Sequence, residues 1–190
     1  MDTTVRYWRI MPGAKSKHIK ECIEQEFIGG DWDFPGDLTG HLPDNWREFN
    51  KAYIPVFLEN HPDKTKVAAG LACGMLHTIC KGMPVGSRVL CPDGTGVYRV
   101  GEVMSDYCYD PSKVLPHHRK VKWFASINRS DMSQALKNSS GSIGTVSELS
   151  KYAEEMSELI SGRTPELLTH TDASIEDPSV FALEKHLEDF

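Results

Sequence analysis

Between Leu115 and Phe124 the chain reads LPHHRKVKWF, which gathers His117, His118, Arg119, Lys120 and Lys122 into six positions and follows them with Trp123 and Phe124. The wider stretch 111–130 adds Lys113 and Arg129 and contains no acid. On an extended strand Lys120 and Lys122 fall on one side about 7 Å apart, close to the spacing of successive phosphates. Tyr98, Tyr107 and Tyr109 lie nearby in sequence. Cations displace condensed counterions from a polyanion, and exposed aromatic rings stack on bases. The chemistry on offer is recognition of nucleic acid. The competing reading is a solvated edge strand guarded by lysines.

Other chemistries find less support. The chain has no G-x-S-x-G, P-loop, H-E-x-x-H or glycine-rich dinucleotide fingerprint. Adjacent residues of a strand point opposite ways, so His117 and His118 make a poor pair of ligands for one metal. Asp31, Asp33 and Asp37 sit in a glycine-rich loop, where turn formation accounts for them. Cys22, Cys73, Cys80, Cys91 and Cys108 form no C-x-x-C pair, which fits reduced thiols in a cytoplasmic protein. No catalytic residue, metal site or cofactor is assigned on these 190 residues. Trp32, inside the same polar loop, either anchors that loop to a core or lines a pocket.

The formal net charge is −6, an unpromising total for a partner of nucleic acid. It is unevenly placed. Residues 151–190 carry three basic and ten acidic side chains, a net of −7, which leaves residues 1–150 at +1. The basic stretch therefore belongs to a nearly neutral body. No apolar run is long enough to span a bilayer, and the N-terminus lacks a signal pattern.

The elements that must position these residues are readable in outline. A first strand is expected over 5–11, and a short helix follows on Ile19, Cys22, Ile23 and Phe27. Asp44 can cap a helix running through Tyr53. Residues 65–82 predict a helix with Val67, Leu71, Met75 and Ile79 on one face and small residues on another. Gly82 ends it. Strands are expected at 87–91, at 97–109 and at 117–127. In the last of these, Val121, Trp123, Ala125 and Ile127 would share one side. A phase change near Gly101 predicts a β-bulge that bends the sheet toward a small, partly closed barrel. A short helix beginning at Ser130, a Ser/Gly loop, a last short strand and an amphipathic helix ending at Ser161-Gly162 complete the body. Asp177-Pro178 opens a final helix whose Val180, Leu183, Leu187 and Phe190 stripe has no evident partner.

In order, RYWRIMPG, IGGDWDFPGDLTG, VGSRVLCPDGTGVYRVGEVMSDYCYD, LPHHRKVKWF and DMSQALKNSSGSIGTV resemble the N-terminal modules of Mrr-type and related modification-dependent restriction proteins. Those modules are PUA-like, beside the EVE and YTH domains, and the resemblance covers about residues 5–149. It implies an α+β fold, a curved and partly closed mixed β-barrel flanked by helices, over residues 1–161. It also implies a pocket for a base flipped out of double-stranded DNA, often a modified one. Within the regions it marks, Trp32, Tyr98 and Trp123 are the candidate walls, and Asp37, Asn138, Ser140 and Ser142 the candidate edge readers. His117, Arg119, Lys120, Lys122, Arg129 and Lys137 are the candidate phosphate holders. Residues 162–190 resemble a linker and the opening helix of a PD-(D/E)XK nuclease domain, whose acids and divalent metal would lie beyond Phe190. The expectation is a DNA reader that directs a nuclease in defence. An RNA-binding PUA- or YTH-like module and a protein-interaction domain are the alternatives, and self-association is left open.

Overall fold

The computed structural model describes residues 4–162; the expected linker and terminal helix over 163–190 lie outside them. The protein is α+β, with a curled, half-barrel mixed sheet flanked by helices. Seven strands form it: β1 (Tyr7–Ile10), β2 (Phe27–Gly30), β3 (Arg88–Pro92), β4 (Val97–Val103), β5 (Cys108–Tyr109), β6 (His117–Asn128) and β7 (Val146–Glu148). The order is β2-β6-β4-β3-β1-β7, with β5 also paired to β6. Only β1 and β3 run parallel; the other pairs are antiparallel. The helices are α1 (Ile19–Glu24), α2 (Trp46–Asn60), α3 (Lys66–His77), α4 (Gln134–Ser140) and α5 (Ala153–Ile160). Among the described residues, no helix is long and apolar enough to cross a membrane.

Each face of the sheet carries a core, and this explains the strand patterns. Tyr7, Leu90, Tyr98, Val100 and Ile127 pack under α4 and α5 on one face. Trp8, Ile10, Ile28, Val89, Cys91, Val103 and Val121 pack with Ile79 and Met83 on the other. Tyr98 and Val103 therefore need no phase change in β4, since each parity has its own core. The bulge is real but lies across the ladder. Val100 pairs with Ala125 and Gly101 with Trp123, leaving Phe124 of β6 as the extra residue. Val121 and Ile127 consequently face opposite cores, not one side as the alternation suggested. The expected strand 97–109 is also broken: β4 stops at Val103, and β5 is a separate pair of residues on the same side of β6, opposite β2.

The α2–α3 hairpin carries a third core, in which Phe49, Ile54, Phe57, Ala69, Ala72, Cys73 and Leu76 meet Phe34 and Leu38 from the loop after β2. Asn45, rather than Asp44, caps α2 by accepting from the Arg47 amide at 2.9 Å. The helix continues past Tyr53 through Pro55 to Asn60. Lys51, whose carbonyl the proline leaves without a donor, is exposed, so water can satisfy it. In α3 the small side chains form the buried face, with Ala69, Gly70, Ala72 and Cys73 inside. Val67 is exposed. Thr78–Gly82 then widens into a π turn, which leads into the sheet through Met83.

Candidate nucleic-acid interface

The loop that follows β2 is held by close backbone approach. Gly29 pairs with His118 and Gly30 with His117. A Cβ at Gly30 would collide with the Trp32 ring, and one at Gly29 would press on the His117 carbonyl and His118. The two glycines thus let the indole lie against the strand it has just left. Trp32 and Asp33 then take left-handed backbone, at φ 52° and 55°, a conformation that costs a non-glycine residue about 1–3 kcal/mol. The Trp32 ring is partly buried, between the helical-hairpin core and the sheet core. His61 from the end of α2 reaches the Trp32 carbonyl and the Asp33 carboxylate, each at 3.4 Å.

Behind the loop lies a buried relay. The Leu38 amide donates to the Tyr107 hydroxyl at 3.0 Å. That hydroxyl is 2.8 Å from Nδ1 of His117, whose Nε2 is 3.1 Å from the Phe34 carbonyl. The carbonyl can only accept, so Nε2 carries the proton and Nδ1 accepts from Tyr107. Burial pushes the His117 pKa below its ordinary value and the Tyr107 pKa above it. The imidazole is neutral, and both its nitrogens are occupied. Asp37, on the exposed turn between Phe34 and Leu38, accepts from the Thr39 hydroxyl and amide at 2.7 and 2.9 Å. Those bonds hold its carboxyl below the usual range. The loop therefore presents an indole and an ionised carboxylate on a backbone pinned from beneath.

The other expected pocket residues stand elsewhere. Tyr98 is buried on the opposite face of the sheet, its hydroxyl 3.4 Å from both the carbonyl and Oγ of Ser140. Ser142 lies 2.9 Å from Ser147 and accepts from the buried Arg9. Asn138 is exposed on α4 and bonded to Gln134. Trp123 donates its Nε1 to the Cys22 carbonyl at 2.9 Å, fastening α1 to β6. The sheet thus separates Tyr98, Asn138, Ser140 and Ser142 from Trp32 and Asp37, and the seven do not form one pocket. Residue types alone could not show which face of a doubly buried sheet each would occupy.

Three expected phosphate holders are corrected by burial or by partners. Arg119 is 2% exposed and donates to the carbonyls of Ser105, Ile79 and Met83 at 2.5, 3.2 and 2.9 Å. Its charge meets carbonyls left unpaired where the α3–π segment ends. His117 is fully buried. Arg129 donates to the Lys137 carbonyl at 3.0 Å and to Ser140 at 3.3 Å, which closes the C-terminal end of α4. Lys137 is half-buried, with its ammonium assigned no ion pair among the described residues. Lys120 and Lys122 are exposed, and Lys122 lies directly across from Glu102 of β4.

Sequence reasoning missed Tyr107, His61 and Arg88 as organisers of these surfaces. The Gly29-Gly30 pair before Trp32 was the one local signal of close approach. Burial raises the Cys22 and Cys73 thiols to about 12 and raises those of Cys80 and Cys91 as well, so these four stay protonated and inert. No curated protein matches the chain. Residues 8–150 match the family model described as Domain of unknown function (DUF8426), and because that match spans well over half of the 190 residues, the chain belongs to this family.

Proposed function

We propose that this protein is a nucleic-acid reader whose 31–39 loop receives a base extruded from double-stranded DNA, with a modified base as its preferred target. The observation that carries the reading is Trp32. A partly exposed indole sits on two consecutive left-handed, non-glycine residues, and the loop is locked by His61 at one end and by the Tyr107–His117 relay at the other. Backbone strain that surrounding structure over-determines clusters at ligand-binding sites. Extruding a base costs a few kcal/mol, which stacking on an aromatic ring and hydrogen bonds to the base edge must offset. Trp32 supplies the ring, and Asp37 an acceptor for an exocyclic amino group. Lys120 and Lys122 are the exposed cations nearest in chain to this loop's partner strand, and they supply phosphate contacts around the sheet edge formed by β2. The resemblance to restriction modules extends the proposal to directing a nuclease.

Fluorescence anisotropy with plain duplex, duplexes bearing single modified bases, single-stranded DNA and RNA, at two salt concentrations, tests it. The expected result is tighter binding to one modified duplex, with the preference lost in Trp32→Ala. Preference for RNA over every DNA would assign the loop to an RNA reader instead. Absence of binding to all four would overturn the reading.

A further inference from the structure

The sheet face that holds Tyr98 is only half covered. α4 and α5 lie over Tyr98, Val100 and Ile127. Beyond them, Tyr7, Arg88, Glu102 and Lys122 are successive cross-strand partners on β1, β3, β4 and β6; Arg88 and Glu102 are half-buried and Lys122 is exposed. Phe124, the bulged residue, is 43% exposed beside them. The Arg88 guanidinium lies 5.3 Å above the Phe124 ring while donating to the Tyr7 hydroxyl at 2.8 Å. The ring is thus fixed in place although no strand partner holds it. Lys120 is exposed one rung further along, next to Met104, whose amide binds the Lys120 carbonyl at 2.8 Å. Met104 is 50% exposed.

We propose that this open half of the face is a second contact surface, for an unpaired stretch of nucleic acid, with Phe124 stacking on one base. Lys120 and Lys122 hold the flanking phosphates, and Arg88 braces the ring from behind. The inference rests on the nucleic-acid reading above and shares its Lys120 and Lys122, but it adds a stacking ring, Phe124, across the sheet from Trp32. Charge selects the partner: three cations share this strip with one carboxylate, Glu102, so an anionic chain is favoured over an acidic-surface-avoiding apolar one. The aromatic ring selects a single strand. A base stacked within a duplex offers no free face to a ring standing up from one bulge, whereas an unpaired base does. Bulges commonly re-aim a side chain in this way, and a ring already held loses little freedom on binding.

The test uses the full chain and two labelled probes of about twelve nucleotides, oligo-dT and an abasic strand of equal charge. Oligo-dT is expected to bind about tenfold more tightly than the abasic strand. Phe124→Ala should erase that difference and leave abasic binding unchanged, while Phe124→Trp retains it. Lys120→Ala and Lys122→Ala should weaken both probes alike, each lowering the logarithmic salt slope by about 0.7. All three side chains are exposed, and an unchanged melting temperature confirms folding. If Phe124→Ala leaves oligo-dT binding intact while Trp32→Ala still abolishes modified-base preference, this proposal falls and the reader stands. If no probe or duplex binds, both fall. Binding to anionic lipid vesicles through Phe124 and Met104, without binding to either strand, would reassign the surface to a membrane.

Discussion

Arg119 and Lys120 are neighbours in sequence with opposite physical fates. The Arg119 guanidinium is buried against three carbonyls, from the Ser105 turn and from both sides of the π turn's end. Removing it would leave buried acceptors without donors, at about 1–3 kcal/mol each. Arg119→Met, which keeps much of the stem's volume, should therefore lower unfolding free energy by about 3 kcal/mol or more. Lys122→Ala should change it by less than about 0.5 kcal/mol. Urea denaturation measures both, and a fully stable Arg119→Met protein with weakened DNA binding would restore that arginine to the phosphate surface. Gly30 offers a finer test at the same scale. Gly30→Ala leaves the indole in the chain but pushes its ring off β2. Under the proposed function it should lose modified-base discrimination nearly as Trp32→Ala does, while retaining plain-duplex binding. Intact discrimination in Gly30→Ala would mean that the ring's seat against β2 is irrelevant to recognition.

At the scale of elements, the helices are legible because their periodicity reflects one buried face: α1, α5 and the small-residue face of α3 are of this kind. β1, buried along its whole length, is legible by its aromatic and β-branched composition instead. The misreadings share a cause: β4 and β6 each serve both cores, and the bulge changes which core a given parity faces. Val121, Trp123, Ala125 and Ile127 look like one stripe, yet the bulge at Phe124 sends the first two to one core and the last two to the other. The candidate site is less legible, because residue type does not fix which core each strand position serves. Trp32 and its loop were identifiable from polarity and glycine content, whereas Tyr107 reaches the loop only through tertiary pairing of β5 with β6. The bulge itself can be tested. Deleting Phe124 removes the extra residue while every β4–β6 pairing, and so the side that Ala125 and Ile127 face, is kept. The deletion variant should therefore still unfold cooperatively, as read by circular dichroism during thermal melting, and so should Phe124→Ala. Loss of cooperative unfolding in the deletion would mean that the bulge itself, rather than the pairing on either side of it, sustains the sheet.

Across the whole molecule, three buried imidazoles bind backbone carbonyls, and two of them tie separate elements together. His77 fastens α3 to the Pro43 carbonyl at 2.7 Å, His117 fastens β6 to Phe34, and His118 meets the Pro116 carbonyl at 3.0 Å. Burial lowers all three pKa values below 6.5, even though the carbonyls, and for His117 the charges of Asp31 and Asp37, pull the other way. In the unfolded chain these histidines titrate near 6.5. As pH falls through that value the unfolded state takes up protons that the folded state refuses, so stability is present above about 6.5 and declines below it. The decline continues until the folded-state values are reached, at about 1.4 kcal/mol per pH unit for each proton in question. Asp37, Asp93 and Asp110, whose pKa values are lowered, add a separate loss that begins only below about 4. Urea midpoints should therefore fall between pH 7.5 and 5, and fall again in stronger acid. His117 carries a distinct local consequence. A proton on its Nδ1 leaves the Tyr107 hydroxyl, already an acceptor from Leu38, without an acceptor for its own proton. The 31–39 loop should loosen before the fold does, seen as Trp32-dependent fluorescence changing at a higher pH than the loss of circular dichroism. Coincidence of the two transitions would show that the relay does not govern the loop.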